Sequence, residues 1–133
     1  MTEELEDRWI LGLRGSTVVS VAETSEHQGL VLRLNCGAEV TIRGPVLLTY
    51  GSAVAPSVVP LSGEEWQRLV GTAVLSAVAF KSGALRAVFS TGHHLNVRGG
   101  GPEIVVHVRK PEEFDWLHEG GVGVMRLFGA TTP

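Results

Sequence analysis

Apolar residues recur at every second position through much of this chain. Val19 and Val21, then Leu30, Leu32 and Leu34, then Val40 and Ile42 follow that period, with Arg33, Glu39 and Thr41 between them. Leu85, Ala87 and Phe89 repeat the pattern, as do Leu95 and Val97, with Arg86, His94 and Asn96 on the alternate face. A period of two predicts half-buried strands rather than helices. Asn35-Cys36-Gly37 and Ser90-Thr91-Gly92 have the residue types of hairpin turns. Two stretches, Ala73 to Phe80 and Ile104 to Val108, are apolar on both faces, which predicts strands covered on both sides or beneath a partner subunit.

The same unit is written twice. Leu13-Arg14-Gly15-Ser16-Thr17-Val18 reads like Leu69-Val70-Gly71-Thr72-Ala73-Val74, and Leu30 to Gly37 reads like Leu85 to Gly92. Val40-Thr41-Ile42-Arg43-Gly44 returns as Leu95-Asn96-Val97-Arg98-Gly99. Each copy predicts a meander of three strands. A fourth is expected at Val46 to Tyr50 and at Glu103 to Val108, each after a Gly-Pro pair.

Helical signals are few. Ser62-Gly63-Glu64-Glu65 has capping-box spacing, and Trp66, Leu69 and Val70 follow at helical intervals, predicting a short helix against the sheet. Lys110 to His118, with Pro111 in a first turn, suits one or two helical turns, and Gly121 to Phe128 suits a closing strand. Gly51 to Leu61 is expected to be an ordered connection, because its valines are costly to leave in water. The expected fold is all-β with one or two short helices. Two related antiparallel meanders, about 9–61 and 62–128, form one barrel-like or sandwich domain over 1–133.

A chain of 133 residues buries enough surface to stand without disulfides or a structural metal. The single cysteine, Cys36, has no partner in the chain, and the acidic amino terminus lacks the basic and apolar regions of a signal peptide. No apolar run approaches the length of a membrane span. These features predict a cytoplasmic protein. A net charge of −3 argues against nucleic acid, and the excess of nine arginines over two lysines is better assigned to genome composition than to phosphate binding.

Standard catalytic signatures are missing: there is no phosphate-binding loop, nucleophile elbow, HExxH helix or CxxC pair. If Gly99 to Pro102 closes a hairpin placing Leu95 opposite Val106, His94 faces His107 on the outer side, close enough to share a metal or a substrate proton, with general acid/base use favoured over metal binding. The competing reading is two polar residues on a solvated face. Arg43 and Arg98 end equivalent strands and are candidates for gripping a carboxylate or phosphate, unless each simply pairs with a nearby glutamate. Phe114 and Trp116, flanked by Glu113 and Asp115, are candidates for an acidic-rimmed partner site or, alternatively, for a segment plugging one end of the fold. No metal site and no cofactor are expected.

Leu13-Arg14-Gly15 with Val18, Gly37 to Pro45, Leu48-Thr49-Tyr50-Gly51, Leu69 to Val74 and Gly83 to Gly92 together resemble an uncharacterised domain-of-unknown-function family. Its members are small bacterial β proteins of the high-GC Gram-positive type, and the resemblance covers residues 9–98. The carboxy-terminal part departs from it, continuing to Met125-Arg126-Leu127-Phe128. The resemblance implies a compact β protein and supplies no activity. The function expected is that of a non-catalytic binding or interaction protein, accessory or immunity-like, acting through a protein partner or as a homodimer. The alternative is a small-molecule-binding or enzyme-like barrel using His94, His107 and an arginine.

Overall fold

A computed structural model describes residues 2–24, 29–44, 46–51, 57–59, 63–99 and 103–128. The elements in chain order are β1 (Glu3–Glu4), β2 (Arg8–Ile10), β3 (Val18–Thr24), β4 (Gly29–Leu34), β5 (Glu39–Arg43), β6 (Leu47–Tyr50) and β7 (Ser57–Val59). Helix α1 (Gly63–Gln67) precedes β8 (Val74–Phe80), β9 (Leu85–Phe89), β10 (His93–Val97), β11 (Val105–Lys110), β12 (Phe114–Glu119) and β13 (Val122–Leu127). They form two antiparallel sheets, one ordered β1-β2-β8-β9-β10-β6-β7 and the other β13-β12-β11-β5-β4-β3. Neither closes on itself, so the barrel-or-sandwich choice resolves to a sandwich. The helical segment expected before β8 is α1, whereas its proposed cap, Ser62, and most of Gly51 to Leu61 lie outside the described residues.

The alternation in sequence becomes the two faces of each strand. Leu30, Leu32 and Leu34 point inward, as do Val40 and Ile42, and from the other sheet Leu85, Phe89, Leu95 and Val97 meet them. Burial of each such side chain contributes roughly 1.5–3 kcal/mol, so the inward rows dominate the energetics. Trp66 of α1 and Trp116 of β12 complete the interior. Gly37 and Gly92 close the β4–β5 and β9–β10 hairpins at φ of 88° and 93°, a conformation that favours glycine.

The fourth strand of each meander leaves its own sheet. β3-β4-β5 is extended by β11, and β8-β9-β10 is extended by β6. Leu95 therefore pairs with Leu48, and Val106 with Ile42. The expected hairpin from β10 into β11 does not form, because β6 already occupies that edge of β10. Alternation fixes which face of β11 is buried, but not which sheet it joins; both placements satisfy it.

The two sheets touch through the beginnings of β3 and β8. Thr17 and Ala73 form an isolated bridge. Around it, Gly15 N donates to Val74 O and Gly71 N to Val18 O, both at 2.8 Å. Val18 N donates to Thr72 O at 2.9 Å, and Val74 N to Ser16 O at 2.8 Å. A register shift follows in each strand, between Val18 and Ser20 and between Val74 and Ser76. The bulge corrects one detail of the alternation. Val18 and Val21 share the buried face, while Val19, like Leu75, stands exposed.

Candidate functional site

His94 and His107 do not meet. His94 lies on the outer face of the seven-stranded sheet between Val88 and Thr49, and His107 on the outer face of the six-stranded sheet between Thr41 and Leu117. The arrangement that would let them share a proton is overturned by the strand exchange. His107 instead places Nε2 2.7 Å from Asp115 Oδ1 on the neighbouring strand, a pair about one-third exposed. Such a pair contributes about 0.2–1 kcal/mol. Arg43 ends β5 in one sheet and Arg98 follows β10 in the other; both are exposed, and neither has an ion pair among the described residues. They do not form a clamp on one face.

Phe114 and Trp116 are also corrected. The segment expected to be helical from Lys110 to His118 is a hairpin: β11 pairs with β12, and Glu112 takes φ of 69° in the turn between them. Phe114 and Trp116 are 0% and 1% exposed, so both rings are core rather than surface anchors. Glu113 accepts from Thr2 Oγ1 at 2.9 Å and pairs with Lys110 at 3.1 Å. Lys110 Nζ also donates to Gly12 O at 2.8 Å, so this carboxylate and ammonium fasten the amino-terminal segment to the turn. Partial burial would raise the Glu113 carboxyl, but hydrogen bonds from Thr2 and Lys110 outweigh it and hold the group below its ordinary value.

Two histidines that the sequence reading did not select are interior. His93 is 1% exposed; its Nδ1 lies 2.7 Å from Thr91 Oγ1, its Nε2 3.8 Å from Glu65 Oε2, and its ring 4.9 Å from that of Tyr50. Burial, reinforced by the nearby Arg68 charge and only partly opposed by Glu65, pushes its pKa below the ordinary value. His118 is slotted between Gly83 of the β8–β9 turn and Gly123 of β13. A Cβ on either glycine would lie 2.5 Å or 2.8 Å from the ring. The signal was present, since His93-Leu95-Val97 and Phe114-Trp116-His118 are inward rows with histidine in a core position.

The chemistry available is limited. Among the described residues no three His, Cys, Asp or Glu side chains cluster to hold a metal. Between the sheets lies a void of about 20 Å³ bounded by Leu13, Leu32, Phe89, Leu95 and other apolar side chains. That is room for one water, without a polar group to hold it.

What the fold does present is an edge. β1 and β7 are two and three residues long, and the outer edge of β3 is partly covered by α1, whose Gln67 Nε2 donates to Val21 O at 2.8 Å. Short or covered edges resist unwanted pairing. β13 is six residues long and pairs only with β12 among the described residues. Phe128 N donates to Glu113 O at 2.8 Å, so alternation directs the even-numbered backbone groups of β13 toward β12. Those of Gly123, Met125 and Leu127 face outward. Val122, Val124 and Leu127 are 66%, 48% and 55% exposed, and Phe128 follows them into solvent.

No helix among the described residues is long and apolar enough to cross a membrane. No curated protein and no solved structure matches the chain. A family of unknown function, DUF6188, matches residues 9–100, which takes in both meanders but ends before β11. With more than half of its length matched, the chain belongs to the DUF6188 family.

Proposed function

We propose that the protein is a non-catalytic binding domain, built from two copies of one β unit, that engages a protein partner by strand addition at β13. The observation that carries this reading is a backbone edge left unpaired among the described residues on the same strand as exposed Val122, Val124 and Leu127. An incoming strand would satisfy the outward N–H and C=O groups and cover those side chains together. The reciprocal bonds around Thr17 and Ala73, and the bulges recurring 56 positions apart, support the two-copy reading. The lone cysteine supports a cytoplasmic setting, and the missing catalytic signatures support an accessory or immunity-like role.

The test is affinity capture from the source cell with the native chain and with Val124→Lys/Leu127→Lys. Both substituted positions are exposed, so the doubly charged variant is expected to fold. A partner retained by the native chain and lost by the variant supports the reading. Equal capture by both, or turnover of a small molecule by the edge variant, overturns it.

A further inference from the structure

We infer that the occupant of the β13 edge is β13 of a second copy, paired antiparallel across a two-fold axis at Val124, so that the six-stranded sheets of two molecules become continuous. The inference rests on the strand-addition reading and names the strand that is added. It follows from the order of residues along β13, which matches its own reverse.

On the outer face, a two-fold at Val124 sets Val124 against Val124 of the second copy. Leu117 lies behind it on β12, so an apolar row crosses the junction. To either side, Val122 of one copy stands opposite Arg126 of the other. Val122 is the register neighbour of Glu119, and Arg126 that of Asp115. The Arg126 guanidinium of one copy thus reaches toward Glu119 of the other across a single valine. Among the described residues neither Arg126 nor Glu119 has an ion pair, so each brings an uncommitted charge of opposite sign. Complementary rows of this kind fix register and suppress wrong partners.

On the inner face the match is one of size. Met125 falls opposite Gly123 of the second copy, and Leu127 reaches past the start of that strand toward Gly121 in its turn. Gly123 has no room for a side chain of its own, since a Cβ there would strike His118. The long side chains of each strand therefore lie where the other has none. The backbone agrees, because Gly123 and Met125 are the residues whose N–H and C=O face outward, and they would exchange hydrogen bonds with Met125 and Gly123 of the second copy. Moving the axis to Met125 would oppose two methionines and set Arg126 beside Val124, without an acidic neighbour. Charge and size both select Val124.

Sedimentation of the full chain across a concentration series tests the pairing. The native protein is expected to dimerise. Val124→Lys, which opposes two like charges, should weaken association by about tenfold or more while leaving the thermal transition of the folded chain in place. Val19→Lys, a charge on an exposed valine far from β13, should leave the dimer intact. In a Cys36→Ser background, Val124→Cys should form an intermolecular disulfide under mild oxidation and Met125→Cys should not, because only position 124 meets itself. Arg126→Glu should weaken the dimer, and adding Glu119→Arg should restore it.

A native chain that stays monomeric throughout the series overturns self-pairing. Strand addition to a different protein would then still be read by the capture experiment, so the two failures are distinguishable. A dimer that survives Val124→Lys, or a disulfide that forms in the Met125→Cys variant and not in the Val124→Cys variant, overturns the proposed interface or its register.

Discussion

Thr17 and Ala73 oppose each other across a single bridge, and the amide of each is bound by the side chain of a turn in its own sheet. Thr17 N donates to Asn35 Oδ1 and Ala73 N to Ser90 Oγ, both at 2.9 Å. The return bonds match as well, with Asn35 N donating to Thr17 O at 2.9 Å and Ser90 N to Ala73 O at 2.8 Å. Two turns on separate sheets therefore brace the bridge at the centre of the backbone contacts that join those sheets.

Asn35→Ala and Ser90→Ala should each lower stability by about 0.5–1.5 kcal/mol, measured by urea denaturation, since each removes one hydrogen bond. The effect should lie toward the lower end, because both residues are exposed and water can take the vacated place. As they brace one bridge from opposite sides, the double variant should depart from additivity. Strict additivity would show that the bridge does not couple them.

His93 makes stability depend on pH. Its folded pKa lies below the ordinary value of 6.5, which the unfolded chain regains. Between those two values the unfolded state binds the extra proton, so acid favours unfolding. Stability should be full above about pH 6.5, fall as pH drops below that, and level off beneath the folded value. Melting curves of native protein and His93→Gln from pH 8 to pH 5 check this. The variant should show the shallower slope, and equal slopes would mean that protonation of His93 is not resisted.

The slot around His118 predicts an intolerance to one methyl group. Gly83→Ala places a Cβ against a buried ring at a backbone φ of 102°, so stability should fall by about 1–3 kcal/mol. Thermal denaturation measures it. If His118→Ala is introduced first, the steric part of the loss should disappear and only the backbone strain should remain.

Trp116 and Asp115 are neighbours in sequence with opposite consequences. Trp116→Ala should cost about 3–5 kcal/mol, as expected for emptying a buried aromatic site. Asp115→Asn should cost about 1 kcal/mol or less, because its pair with His107 is partly solvated. Calorimetry of both variants separates core from surface on a single strand.

Local order was legible in the sequence because a period of two leaves little freedom: Leu30-Leu32-Leu34 and Leu95-Val97 could only be one-sided strands. The similarity of Leu13–Val18 to Leu69–Val74 likewise located the segments that meet at the bridge. Long-range choices were not legible. Val106 and Val108 are equally content against β10 or β5, so the His94–His107 juxtaposition was built on a pairing that β6 forecloses. Phe114-Glu119 misled through Pro111 and its acidic residues, which suit a first helical turn as well as a tight hairpin. Phe114, Trp116 and His118 nevertheless alternate with Asp115 and Leu117, and that period was the better guide. The candidate edge at β13 was visible only as a closing strand, because alternation does not say which side of a strand lacks a neighbour.

The exchange of β6 and β11 makes the two halves mutually dependent. A polypeptide ending after Gly51 would carry β6 with no β10 to receive it, and a polypeptide beginning at Gly63 would carry β11 with no β5. Separately expressed pieces should remain unstructured, mixing them should restore the fold, and the intact chain should melt in one cooperative step. The molecule is interlocked by its own topology, and its stability belongs to neither half alone.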